Sequence, residues 1–164
     1  MVNKAYLLIG GNLGDREATM ARAKVLIAEH CGELTAISSL YETAAWGKTD
    51  QPSFLNQALE LITPLNAKQL IRRILKIEKL MGRVRKEKYG PRLIDIDILL
   101  FNDEIHNYPF LQLPHPEMQH RRFVLLPLAE IANGLIHPVF HKSIGELLVN
   151  CADELTVTAV TKLG

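Results

Sequence analysis

Between Leu93 and Phe101 the chain is apolar except for two aspartates, Asp95 and Asp97, set two residues apart. The pattern calls for a strand, in which successive side chains point to opposite faces. Leu93, Asp95, Asp97 and Leu99 then share one face, and Ile94, Ile96, Ile98 and Leu100 share the other. The isoleucine face belongs to a core, and the aspartate face opens to something polar. At about 3.3 Å per residue the bases of the two carboxylates lie roughly 6.6 Å apart, so they can converge on cations between them. Two divalent ions about 3.5–4 Å apart, clamped by shared carboxylates, serve displacement at phosphorus. Ion pairing of both aspartates with neighbouring arginines gives the same pattern, and the strand alone leaves both readings open.

The segments before this strand read in a definite order. Ala5 to Ile9 is a short apolar run closed by Gly10-Gly11, hence a buried strand. Asp15 is placed to cap a helix in which Met20, Ala23, Ile27 and Ala28 recur near helical spacing until Gly32 stops it. Leu34 to Tyr41 reads as a second strand and Phe54 to Ile62 as a third. Pro64-Leu65-Asn66 opens a second helix with the stripe Leu70, Ile74, Ile77 and Met81, and Gly82 is its stop. The order is βαββαβ, an α+β arrangement that fits a ferredoxin-like sheet with helices packed on one face, an α/β sandwich.

Beyond Phe101, Asn102-Asp103 suggests a hairpin into Ile105-His106, followed by a loop from Tyr108 to Pro116. Phe123 to Ile131 and Ser143 to Val149 are expected helices, the first short or kinked at Pro127, and Leu155 to Val160 a last strand. No repeat, low-complexity tract or linker interrupts the 164 residues, so a single domain over 1–164 is expected.

Charge narrows the function. The net charge of +1 opposes a protein that coats a polyanion, so phosphate chemistry must rest on a local cationic cluster. Cys31 and Cys151 lack metal-type spacing and read as reduced packing residues. No apolar run approaches the roughly 18 residues of a membrane span, and Met1 to Lys4 leads straight into a strand, so a cytoplasmic protein without membrane attachment is expected.

Three motifs are decoys. Gly47-Lys48-Thr49 resembles the end of a P-loop, but Glu42 stands where the run needs glycine and Asp50-Gln51-Pro52 follows where a helix should begin. Gly10-Gly11-Asn12-Leu13-Gly14 lacks dinucleotide spacing and reads as a tight strand-to-helix turn. His137 and His141 are four apart, yet Pro138 opposes a helix, so satisfied or exposed loop histidines are expected.

The cationic cluster is the run Arg83-Val84-Arg85-Lys86-Glu87-Lys88-Tyr89-Gly90-Pro91-Arg92, between the second helix and the aspartate strand. Arginine forks hold phosphate oxygens bidentately, and this loop must project over the acids. A second polar cluster, Pro114 to Phe123, offers His115, Arg121 and the aromatic face of Phe123.

Arg83-x-Arg85, then Tyr89-Gly90-Pro91-Arg92-x-x-Asp95-Ile96-Asp97-Ile98-Leu99, closely resembles the signature of the 6-hydroxymethyl-7,8-dihydropterin pyrophosphokinase family. Gly11-Asn12-Leu13-Gly14-Asp15, Ser39-x-Tyr41-x-Thr43, Asp50-Gln51-Pro52-x-Phe54-x-Asn56 and Pro114-His115-Pro116 through Arg121-x-Phe123 fall in the family's order, covering nearly the whole chain. The resemblance implies transfer of pyrophosphate from ATP, the co-substrate, to the pterin hydroxymethyl oxygen, with release of AMP and the use of two magnesium ions.

By the same resemblance Asp95 and Asp97 hold both ions, Arg83 and Arg92 take the phosphates, and Arg85, Tyr89, His115 and Arg121 join the nucleotide site. Glu78 and the strand around Ile98 lie beside the nucleoside. Thr43, Ala44 and Trp46 supply loop contacts to the pterin, Asn56 hydrogen-bonds its ring, and Phe54 and Phe123 sandwich it. Ala44, Gly11 and Leu75 depart from the family's usual proline, serine and polar residue. The expected partners are small molecules only, with no nucleic acid, and the expected state is a monomer. Two other classes fit a βαββαβ module: an RNA-recognition domain, opposed by the charge and the lack of an aromatic RNP-type strand, and a non-catalytic nucleotide-sensing domain.

Overall fold

The computed structural model of the chain describes residues 2–43, 52–82 and 93–160. β1 (Asn3–Gly11) is central, pairing antiparallel with β4 (Phe54–Thr63) on one side and with β5 (Asp95–Phe101) on the other. Two strands, β2 (Glu33–Ile37) and β3 (Tyr41–Thr43), share the far side of β4, and β8 (Val157–Ala159) adds to β3. The sheet order is β5-β1-β4-β3-β8 with β2 also on β4. The expected second strand is thus two. Buried Ser38 interrupts it, donating its N–H to Ala58 O at 2.9 Å while its hydroxyl accepts the Ala58 N–H at 2.9 Å in place of a backbone carbonyl.

Both predicted helix starts hold. Asp15 accepts the Ala18 N–H at 3.1 Å and opens α1 (Arg16–His30), and Asn66 with Gln69 forms a capping box at α2 (Ala67–Leu80). Met20, Ala23 and Ile27 of α1 and Leu70, Ile74 and Ile77 of α2 are buried on one sheet face with Leu7, Ile9, Leu59, Ile94, Ile96 and Ile98. Ala28, placed on the buried stripe by its spacing, is exposed, because the α1 contact turns through Leu26 and Ile27 instead.

Helices cover both faces rather than one. α3 (Arg122–Ala132) and α4 (Ile144–Val149) bury Val124, Leu125, Leu128, Ile144 and Leu147 against Tyr6, Leu8, Ala58, Leu99 and Leu100 on the second face. The apolar side chains that β1 and β4 present there need a cover, and the C-terminal helices provide it. α3 runs through Pro127 to Ala132 and so is longer than its proline suggests.

Leu100 therefore lies on the face opposite to the one strict alternation assigns it. The β1–β5 register slips between Tyr6 and Leu7, pairing Leu7 with Ile98 but Tyr6 with Leu100. This bulge at Leu99 inserts one residue, sends Phe101 to the isoleucine core and sends Leu100 under α3.

The expected hairpin across Asn102-Asp103 is also different. Asn102 turns back on β1, donating its N–H to Lys4 O at 2.7 Å and accepting the Lys4 N–H on Oδ1 at 2.9 Å. It closes the existing ladder instead of starting a new one. The hairpin comes next, between β6 (His106–Tyr108) and β7 (Leu111–Leu113), inside the segment expected to be a loop. His137 is buried, its Nδ1 accepting the Val139 and Phe140 N–H groups at 3.2 Å, while His141 is exposed; neither is helical. Cys31 and Cys151 are free, and burial pushes the Cys31 thiol up to about 11. Among the described residues no helix is long and apolar enough to cross a membrane.

Candidate active site

The register of the sheet assembles one row of residues across four strands. Asp95 on β5 pairs with Gly10 on β1, Gly10 pairs with Asn56 on β4, and Asn56 pairs with Tyr41 on β3. Cross-strand partners point to the same face, so Asp95, Asn56 and Tyr41 all look toward the side that carries α3. Phe54 and Thr43, themselves paired, extend that face by one step, and Asp97, paired with Leu8, extends it the other way.

Gly10 is what makes the row usable. A Cβ there would run into Asn56 Oδ1 and would stand 3.0 Å from Leu55 O. A glycine inside a strand marks such a close approach. It admits the Asn56 side chain over β1, toward an acid whose backbone, two strand spacings away, is roughly 10 Å from that of Asn56. Gly10→Ala is expected to cost about 1–3 kcal/mol by overpacking and to raise the KM for whatever Asn56 binds. An unchanged urea midpoint would contradict the crowding.

The second part of the site is a cleft of about 560 Å³ at the outer edge of β5, lined by Ile71 and Leu75 of α2, Ile96, Asp97 and Ile98 of β5, Phe110 to Gln112, and His115. It is apolar toward the helix and polar toward Asp97, a composition that suits a flat base with a charged tail. Phe110 is 54% exposed at its rim and stacks on Tyr108 at 5.5 Å between centroids.

His115 closes the cleft. Its backbone N–H bonds Leu99 O at 2.9 Å, and its Nδ1 accepts the Glu117 N–H at 3.2 Å. Burial, then the Arg121 charge, hold its pKa below the ordinary value, against the opposing pull of Asp95 and Glu117. The neutral ring accepts at Nδ1, so its proton sits on Nε2. Arg121 precedes α3 and lies 5.8 Å from the centroid of the Phe123 ring.

Asp95 and Asp97 are half-buried. Two carboxylates are hard oxygen donors, and with phosphate oxygens to complete the shell they suit magnesium, which takes one or two protein carboxylates beside substrate phosphates. Among the described residues no group of three or more histidines, cysteines or acids could hold a metal by itself. Glu78 is buried to 3% exposure under the acid strand, and its carboxylate accepts the Ile96 N–H at 2.8 Å. It grips the backbone between the two aspartates.

Of the residues proposed from the sequence, Asp95, Asp97, Asn56, Phe54 and Thr43 share one sheet face, and Asp97, Ile98 and His115 line the edge cleft. Glu78 does not line that cleft but supports its floor. Ala44, Trp46, Arg83, Arg85, Tyr89 and Arg92 lie outside the described residues, as does Gly47-Lys48-Thr49. Sequence reasoning missed Gly10, whose signal was a glycine pair inside a strand, and it missed Ile71 and Phe110, which carry no chemical signature.

Comparison with known proteins gives a consistent picture. The family described as 7,8-dihydro-6-hydroxymethylpterin-pyrophosphokinase (HPPK) matches residues 6–133. A 2-amino-4-hydroxy-6-hydroxymethyldihydropteridine pyrophosphokinase of Aquifex aeolicus is 42% identical over 141 residues, 86% of this chain and 88% of that protein. One from Bacillus subtilis is 46% identical over 132 residues, covering 80% and 79%. A crystal structure of a Plasmodium falciparum HPPK-DHPS triple mutant with STZ-DHP superposes with a TM-score of 0.74 at 18% identity, over 92% of this chain and 43% of that one. At that identity it is the fold that is shared, and this chain spans less than half of that longer one.

Proposed function

Because the chain belongs to the 7,8-dihydro-6-hydroxymethylpterin-pyrophosphokinase family, we propose that its edge cleft takes ATP and that the face beyond Gly10 takes the pterin. The chain transfers pyrophosphate from ATP to the hydroxymethyl group of hydroxymethyldihydropterin in folate synthesis, with ATP as co-substrate.

The observation that carries the division of the site is the row Asp95–Gly10–Asn56, which sets an acid and a ring-reading amide on one face, with the amide lying over the glycine between them. Asn56 is buried and carries both donors and an acceptor, as recognition of a heterocycle edge requires. Phe54 and Phe123 stack on the pterin from its two sides, which adds about 0.5–1.5 kcal/mol per pair to the area buried. Thr43, Ala44 and Trp46 contact its remaining edge.

On the ATP side, Asp95 and Asp97 are the residues that would hold two magnesium ions. Bound there, the metal neutralises phosphate charge and lowers the pKa of the attacking hydroxyl. Arg83 and Arg92 take the phosphate oxygens, and Arg85, Tyr89, His115 and Arg121 complete the nucleotide contacts, with Ile98 beside the nucleoside and Glu78 beneath it, holding the Ile96 N–H. His115 Nε2–H is a donor suited to a phosphate or ribose oxygen. The pterin oxygen attacks the β-phosphorus in line; its new O–P bond replaces the bond to the α-phosphate oxygen, and AMP leaves. Aligned reactants account for much of the rate in such transfers, since there is little covalent chemistry for the protein to do.

The chain works as one domain and as a monomer in the cytoplasm, on small molecules, without nucleic acid or membrane; its near-neutral charge supports the absence of a nucleic-acid partner. The test is direct. With ATP, magnesium and the hydroxymethyl pterin all present, AMP forms at the rate the pterin product does, and omission of any one stops it. Nucleotide binding without AMP would instead mark a sensing domain.

A further inference from the structure

The turn between β1 and α1 has a role in the site that its sequence did not announce. Arg16 is the first residue of α1, where the helix dipole disfavours a cation. Its side chain leaves the helix. Arg16 Nη1 reaches Glu42 Oε2 at 2.6 Å and donates to Ser53 O at 2.9 Å, so one nitrogen ties β3 to the residue that precedes β4. Asn12, buried in the same turn, adds a bond from Nδ2 to Pro52 O at 3.0 Å.

What lies next to these anchors matters. Glu42 precedes Thr43, and Ser53 precedes Phe54, and Thr43 and Phe54 are cross-strand partners. Glu42 alternates with Thr43, so Arg16 grips the strand pair from the face opposite to the one that takes the pterin. On the far side, Thr43 Oγ1 donates to Thr156 O at 3.1 Å, which ties β3 to the residue that precedes β8. Among the described residues Phe54 pairs only with β3, because the β1 ladder ends one residue short of it, at Gly11–Leu55.

We propose that Arg16 is a positioning residue for the pterin wall, acting through Glu42 and Ser53 to set Phe54 and Thr43. The inference rests on the assignment of Phe54 and Thr43 to the pterin. Arg16 touches neither substrate. Its loss lets the strand pair shift on its shared face, which weakens the stacking slot and leaves the edge cleft, built from α2, β5 and the β6–β7 hairpin, unchanged.

The experiment measures pterin and magnesium-ATP affinities separately, with steady-state constants, for Arg16→Ala, Arg16→Lys, Phe54→Ala and the Arg16→Ala/Phe54→Ala double variant. Arg16→Ala is expected to weaken pterin binding about 5- to 10-fold, less than the full loss of a charge-assisted bond because Arg16 acts through the strand pair and not on the ligand. The KM for the pterin rises to match, kcat stays within about twofold, and ATP affinity is unchanged. Arg16→Lys recovers part of the loss. In the Phe54→Ala background the further loss from Arg16→Ala is under about twofold, since both act on one slot.

Equal weakening of both ligands would overturn the inference, as would an unchanged pterin affinity or fully additive losses. Should Arg16→Ala fail to fold, Arg16→Lys carries the test alone, and either an unchanged pterin affinity or equal weakening of both ligands would overturn it. The parent assignment fails in a different way. If Phe54→Ala alone leaves pterin affinity unchanged, the stacking slot is wrong whatever Arg16 does.

Discussion

Asp97→Ala stops pyrophosphoryl transfer, with kcat falling about 10³-fold or more while the chain folds as before. The size follows from what the carboxylate faces. Asp97 lines the edge cleft and shares its sheet face with Asp95, so its removal takes one of two hard donors from the place where triphosphate charge must be balanced. The fold survives because the side chain is half-buried at the end of its face, and the core beside it is held by Leu8, Ala58 and Leu99. Asp97→Asn tests the charge at constant volume and is expected to lose nearly as much. AMP production above about a tenth of wild type in either variant would defeat the assignment of Asp97 as a metal ligand. Circular dichroism and urea titration check that the loss is not unfolding.

Phe54→Ala weakens pterin binding by about 2–3 kcal/mol, or about 30- to 160-fold, combining lost aromatic contact area with lost stacking. ATP affinity holds, since Phe54 is on β4, on the far side of β1 from the cleft at β5. The measurement is a pair of titrations, one with the pterin and one with magnesium-ATP. Equal losses would mean that Phe54 supports the sheet rather than the substrate, and the division of the site at Gly10 would fall with it.

Where the sequence was legible, local rules and tertiary demands agreed. Asp15 and Asn66 cap because their side chains bond backbone groups three residues on, and the α2 stripe from Leu70 to Ile77 is buried as its spacing requires. The acids of β5 stand out because nothing in strand packing asks for them. Resemblance to a family supplied roles that no spacing dictates, such as Asn56 for a ring.

Other features depend on long-range contacts and carry no local mark. The bulge at Leu99 arises from the match between β1 and β5, and Ser38 breaks β2 from β3 by bonding Ala58, twenty residues away. The turn at Asn102 is legible from its residues but the strand it closes is not, because its partner, Lys4, lies 98 residues earlier. The second helical layer depends on Tyr6, Leu8 and Ala58, whose orientation is known only once the register is.

The grip of Glu78 on β5 has a further consequence at the sheet margin. β5 ends the sheet, and an exposed end strand offers unpaired N–H groups to which another chain can add a strand. Here Glu78 accepts the outward N–H of Ile96, and His115 donates its own N–H to Leu99 O, so two of the groups that would template such an addition are already used. The residues that steady the acids thereby also guard the chain against edge-to-edge polymerisation. Glu78→Leu would lose both, and its first symptom in a concentrated preparation would be aggregation.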